Sequence, residues 1–133
     1  MMMVLACENK TSQVKTNTAP MPIGPYSQAL IKNNQLFVSG QIGLSATGQL
    51  DTSSVENECR QALNNLKNII EAAGYTMNDV CKTTLYTTDL NNFKTINKVY
   101  SDYFSDPPPA RETVEVKALP AGARFEISAI AVK

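Results

Sequence analysis

Arg111 ends the run Pro107-Pro-Pro-Ala-Arg111 and stands at the start of a segment with strand character. A proline run is stiff and extended, so the residue that follows it is held in a narrow range of positions. The planar guanidinium grips a carboxylate through two parallel N–H···O bonds, each contributing roughly 1.5–3 kcal/mol when well formed. An arginine at a strand start also suits a surface ion pair; the rigid segment before it favours a preorganised anchor. Glu126 lies between Phe125 and Ile127, and by alternation it faces the same way as Ser128 and Ile130. A carboxylate among apolar neighbours has its pKa raised, which suits a general acid or base and equally suits a buried ion pair with Arg111. Asn97 falls four residues after Phe93 and three before Tyr100, on the apolar side of a helical pattern. Its amide there needs partners, either in a structural bond to a neighbouring loop or at a ligand. Ser39 precedes Gly40, where a missing side chain lets a ligand or backbone approach. Tyr26 follows Gly24-Pro25 in a turn, from which its hydroxyl reaches a cavity rim.

The chain has no histidine, which excludes Ser-His-Asp, Cys-His and His-pair chemistry and removes the commonest metal ligand. The three cysteines, Cys7, Cys59 and Cys81, are scattered and form no C-x-x-C pair. That pattern suggests reduced thiols in a cytoplasmic protein, with no zinc site and no disulfide framework. Cys59 and Cys81 fall in helical and strand patterns and read as buried. Lys+Arg and Asp+Glu are both 12, so no global field draws in a polyanion and nucleic-acid binding is disfavoured. No stretch is long enough to span a membrane. Val-Leu-Ala-Cys7 loosely resembles the end of a bacterial lipoprotein signal, and a start further upstream would make lipidation at Cys7 an alternative to a disordered tail.

These side chains need a scaffold, and one domain of 133 residues is large enough to bury a core. Residues 1–17 read as a disordered tail and 18–133 as the domain. Residues 27–41 read as a hairpin, with strands at 29–32 and 36–39 and a left-handed turn at Asn33-Asn34. Residues 43–51 suggest a loop. Ser53 and Glu56 have capping-box spacing, Val55, Cys59, Ala62, Leu66, Ile69 and Ala73 share one helix face, and Gly74 closes the helix. Residues 80–88 read as a strand. Asp89 caps a second helix that buries Phe93, Ile96, Tyr100, Tyr103 and Phe104. Strands follow at about 112–119 and at 125–132, joined by a turn at Pro120-Ala-Gly122. The order β-β-α-β-α-β-β is an α+β domain with two helices on one face of a mixed sheet. Its other face is left open, which predicts an oligomer.

Several motifs occur in order: Ile23-Gly-Pro-Tyr-Ser-Gln-Ala29, Val38-Ser-Gly-Gln-Ile-Gly43, Ala72-Ala-Gly74, Val80-Cys-Lys-Thr-Thr84, Phe93 with Asn97 and Tyr100, Pro109-Ala-Arg111, Thr113-Val-Glu-Val116, Ala118-Leu-Pro120 and Glu126-Ile-Ser-Ala-Ile-Ala131. Together they resemble the RidA/YjgF family from about Ala19 to the C-terminus. The resemblance implies a chorismate-mutase-like α+β fold in a homotrimer with clefts between subunits. It also implies hydrolysis of reactive 2-imino acids, 2-iminobutanoate and 2-iminopropanoate, which pyridoxal-phosphate enzymes release and which damage such enzymes. Arg111 stands where the family grips the substrate carboxylate. Tyr26, Ser39, Asn97 and Glu126 stand at ligand-contacting or water-positioning places, and Thr113 where some members have cysteine. Such chemistry requires neither metal nor cofactor.

Four residues depart from the family pattern. Glu112 places an anion next to the arginine in sequence, Thr113 cannot act as a thiol, Ala121 replaces a common basic residue, and Ser128 replaces a common second glutamate. Two other readings compete with an imine deaminase: a ribonuclease or translation inhibitor, a label also attached to the family, and a non-catalytic binder of small carboxylates or of a partner enzyme. The balanced charge and missing histidine disfavour the first.

Overall fold

The computed structural model describes residues 10–133; the Cys7 lipidation reading lies outside them. Strands β1 (Ser12–Val14), β2 (Ala29–Lys32), β3 (Gln35–Ile42), β4 (Val80–Thr87), β5 (Ala110–Glu115) and β6 (Phe125–Val132) form one sheet in the order β1-β2-β3-β6-β4-β5. Only β4 and β5 run parallel, so the sheet is mixed. Helices α1 (Val55–Ala72) and α2 (Phe93–Ser101) complete the α+β architecture. No helix among the described residues is long and apolar enough to cross a membrane.

Side-chain alternation divides the sheet. Along β6, Phe125, Ile127, Ala129 and Ala131 are buried, and Glu126, Ser128 and Ile130 are only half-buried on the other face. The buried row packs with Leu36, Val38 and Leu85 against Leu63, Leu66, Ile69 and Ile70 of α1. Each of these α1 side chains is fully buried and stabilises the fold by roughly 1.5–3 kcal/mol. The opposite face carries Leu30, Phe37, Val114 and Val132 exposed, a row no element among the described residues covers.

Asn33 and Asn34 take φ of 51° and 60°, the left-handed pair that closes the β2–β3 hairpin. Gly74 takes φ of 80°; its N–H bonds to the Glu71 carbonyl and that of Tyr75 to Ile70, a Schellman ending of α1.

Five details differ from the sequence pattern. β1 lies inside the segment read as tail, because Ser12–Val14 pairs with Ala29–Ile31 and buries Val14. The α1 N-cap is Ser54, whose hydroxyl accepts from Asn57 N at 3.0 Å, and Ser53 instead bonds Asp51, so the Ser53–Glu56 box does not form. β5 begins at Ala110 and ends at Glu115, pairing with β4 from the first residue after the prolines that carries a backbone N–H. Asp89 caps a short 3-10 turn (Leu90–Asn92) that leads into α2, and Phe93 is exposed. Cys59 is buried, which pushes its thiol pKa up to about 12, whereas Cys81 is exposed.

Candidate active site

Two clusters of the singled-out residues form, and they do not meet within one chain. The first gathers around Glu126. A cavity of about 320 Å³ is lined by Tyr26, Gln28, Ser39, Gly40, Gln41 and Glu126, with Met21, Ile23, Ile42 and Leu44 as apolar walls. Its floor is set by an irregularity in the β3–β6 ladder: the register shifts between Val38 and Gln41, opposite Glu126's strand. Such bulges re-aim side chains. Gly40 leaves room for the carboxylate in this position, since a Cβ there would stand 1.9 Å from Glu126 Oε1. The carboxylate therefore folds over a bare backbone. Burial raises its pKa above the ordinary value of 4.5, and no cation beside it offsets that shift.

The cavity walls are held from outside the sheet. The fully enclosed Gln28 accepts from Thr16 N at 2.8 Å and donates to the carbonyls of Thr16 at 3.0 Å and Pro20 at 2.9 Å, tying the N-terminal segment to the start of β2. Ser39 Oγ donates to Ser27 O at 2.6 Å, so its hydrogen is committed and its lone pairs remain available. Tyr26 is half-exposed, and its hydroxyl accepts weakly from Ile23 N at 3.4 Å. Glu58 of α1, completely buried, accepts from Arg124 N and Nε, both at 2.6 Å, and so fixes the entrance to β6 two residues before Glu126. Sequence reasoning missed Gln28 and Glu58: neither has a motif, and each acts through contacts far away in sequence.

The second cluster surrounds Arg111. Its Nη2 donates to Asn97 Oδ1 at 2.8 Å, so the Asn97 amide serves the arginine rather than a neighbouring loop. The guanidinium carbon lies 4.8 Å from the Tyr100 ring centre and 5.7 Å from that of Phe93. Among the described residues Arg111 forms no ion pair, which removes the surface-pair reading. Thr113 lies two residues along β5 on the same face, its Oγ buried and without a partner among the described residues. A buried hydroxyl without a partner costs free energy unless a ligand or water meets it.

Register fixes the relation between the clusters. Arg111 pairs with Thr83 and Glu126 with Tyr86 on the shared strand β4. Positions 83 and 86 project to opposite faces, and so do Arg111 and Glu126. An ion pair between them does not form, and its place in the sequence reading falls away. Glu112 likewise points away from Arg111: it bonds Lys82 and, at 3.1 Å, Thr84, which together hold its carboxyl below the usual range. The anion next to Arg111 in sequence is thus not beside its guanidinium in space. Ala121 takes φ of 57° at the cavity rim, and Ser128 pairs with Thr84 on the open face. No cluster of three His, Cys, Asp or Glu among the described residues is arranged to hold a metal.

Comparison with known proteins follows the same outline. The family model described as endoribonuclease L-PSP matches residues 16–133. A RutC family protein of Pyrococcus horikoshii is 49% identical over 119 residues, covering 89% of this chain and 94% of the relative. The mouse protein named 2-iminobutanoate/2-iminopropanoate deaminase is 47% identical over 121 residues, 90% of each chain. The crystal structure of RidA from the Antarctic bacterium Psychrobacter superposes with a TM-score of 0.89 at 38% identity, covering 92% of this chain and 99% of that one.

Proposed function

Because the chain belongs to the endoribonuclease L-PSP (RidA/YjgF) family, we propose that it hydrolyses 2-imino acids such as 2-iminobutanoate and 2-iminopropanoate to 2-oxo acids and ammonia, as a cytoplasmic homotrimer. The observation that carries this reading is Arg111: a guanidinium pinned by Asn97, stacked on Tyr100 and paired with no carboxylate of its own among the described residues.

Arg111 binds the substrate carboxylate, and Asn97 and Thr113 complete its surroundings. The iminium carbon is already electrophilic, so the protein has to orient it and deliver water. Glu126, with its raised pKa, takes a proton as the water oxygen bonds to that carbon. The proton returns to nitrogen, the C–N bond breaks, and Glu126, ionised again, takes the hydroxyl proton as the carbonyl forms and ammonia leaves. Tyr26 and Ser39 line the cavity in which this occurs. Acid-base assistance of this kind contributes ~10²–10⁴ in rate.

The separation of the two clusters supports the oligomer. Arg111 stands on β5, the edge strand of the sheet, and Glu126 on the opposite face. A second copy whose own open apolar face packs along the β5 edge would bring its Glu126 cavity to the first copy's Arg111. The homotrimer supplies both halves of each site from neighbouring subunits.

The test is ammonia release from freshly generated 2-iminobutanoate. Arg111→Ala should lower kcat/KM by roughly 10²–10⁴-fold, the equivalent of two lost charge-assisted bonds; wild-type activity in that variant overturns the anchor. Inactive Arg111→Ala and Glu126→Gln proteins, mixed and allowed to exchange subunits, should regain activity, with about one site in four intact. Continued silence after demonstrated exchange excludes shared sites.

A further inference from the structure

We infer that Tyr100, locked by Thr83, is a positioning residue for Arg111: its ring is the platform that sets the plane in which the guanidinium meets a carboxylate. This rests on the anchor reading above. Tyr100 lies on the buried side of α2, and its hydroxyl meets Thr83 Oγ at 2.8 Å deep in the domain. Thr83 is fully buried in β4, at the register position of Arg111. The Tyr100 ring thus rises from a fixed point in the strand beside the arginine. Phe104 packs against it with ring centres 4.4 Å apart. The guanidinium carbon sits 4.8 Å from its centre.

The hydroxyl pair is the informative part. Replacing both partners of a buried hydrogen bond by apolar groups of the same shape is nearly neutral for stability. A valine and a phenylalanine would fill this space, so stability alone gives no reason for two hydroxyls. Direction does: the bond fixes where the tip of the ring sits, and Phe104 packed against it limits rotation about that axis, where apolar packing alone would tolerate several placements. An arginine side chain has many rotamers, and freezing them at the moment of binding weakens affinity. Asn97 fixes one Nη of the fork, and the Tyr100 face fixes its plane. The other N–H groups of Arg111 bond no protein acceptor among the described residues, which leaves them for a carboxylate. Tyr100 touches the anchor rather than the reacting atoms, so its loss should weaken binding and spare the chemical step.

The experiment compares Tyr100→Met, Tyr100→Phe and Thr83→Val in the full chain. It measures KM and kcat for 2-iminobutanoate and the Kd of 2-oxobutanoate as a non-reacting carboxylate probe. Methionine keeps bulk and removes the π face; KM and the probe Kd should rise ~tenfold with kcat little changed. Tyr100→Phe and Thr83→Val keep the ring and remove the lock; each should raise KM ~threefold, and the double variant no further. Should Tyr100→Met fail to fold, the other two decide. A lowered Tm with unchanged KM and Kd overturns the inference, since a purely structural residue would behave that way. Arg111→Ala measured in parallel separates the readings. If it retains wild-type KM, the anchor itself falls; if it is inactive while the platform variants bind normally, only the platform falls.

Discussion

Gly40→Ala offers a sharp test of how Glu126 works. In an extended strand this change usually stabilises a protein by ~0.4–1 kcal/mol, because alanine restricts the unfolded chain more than glycine does. Here the new Cβ would stand 1.9 Å from Glu126 Oε1, 2.8 Å from its Cδ and 3.2 Å from its Cγ. Normal contact between such atoms is about 3.5 Å or more, so the carboxylate has to move by more than 1 Å. The displaced group is the end of a flexible side chain, and it can swing away without shifting the backbone. The stability cost should therefore be small, no more than about 1 kcal/mol, or roughly 3–5 °C in Tm. Catalysis should suffer far more, because a misplacement of about 1 Å costs ~10²-fold in rate. Arg111 lies on the other face of the sheet and keeps its partners, so KM should stay within about twofold of wild type.

Steady-state ammonia release gives both constants, and thermal unfolding gives Tm. The decisive comparison is a double-mutant cycle. If Gly40→Ala acts only through the carboxylate, the Gly40→Ala/Glu126→Gln protein should be no slower than Glu126→Gln alone. Full additivity, or a Gly40→Ala enzyme with wild-type kcat, would refute the claim that Glu126 is held in place by that bare backbone.

Two more outcomes follow from the same geometry. Glu126 has a raised pKa in the folded protein, so its protonated form is favoured and its contribution to stability is present at low pH and lost as pH rises through the folded value. Glu126→Gln should then raise Tm relative to wild type at neutral pH and give no gain near pH 4, while kcat falls by ~10²–10⁴; equal Tm differences at both pH values would contradict the burial argument. The acid limb of the wild-type kcat profile should lie above the ordinary carboxylate value of 4.5 and vanish in that variant. Phe37→Glu places a charge on the open sheet face without touching either cluster. By sedimentation it should shift the protein toward monomer, with activity lost in proportion, and an active monomer would show that one chain contains the whole site.

How much of this was legible in the sequence depended on whether the signal was local. The α1 face, the Asn33-Asn34 turn and the Gly74 ending are written within a few residues of each other, and the structure repeats them. β1 was not legible: three residues read as a strand only when β2 pairs with them. For the site, alternation in β6 already told that Glu126 shares a face with Ser128 and Ile130, and the proline run already marked Arg111 as stiffly held. Which face Arg111 takes was hidden, because it depends on the parallel register of β5 on β4, and no local spacing encodes a pairing between segments joined through a helix. Once that register places Arg111 opposite Thr83, the geometry removes one of the two roles open to Glu126, the ion pair with Arg111. An arginine and a glutamate on opposite faces cannot neutralise each other within one chain, so each is left with unspent binding capacity. An arginine without an anion and a carboxylate without a cation, among the described residues, are what the proposed site for a zwitterionic imino acid and its water needs. With Glu126 on the open apolar face and Arg111 on the other, the proposed site needs a second copy of the chain to bring the two together.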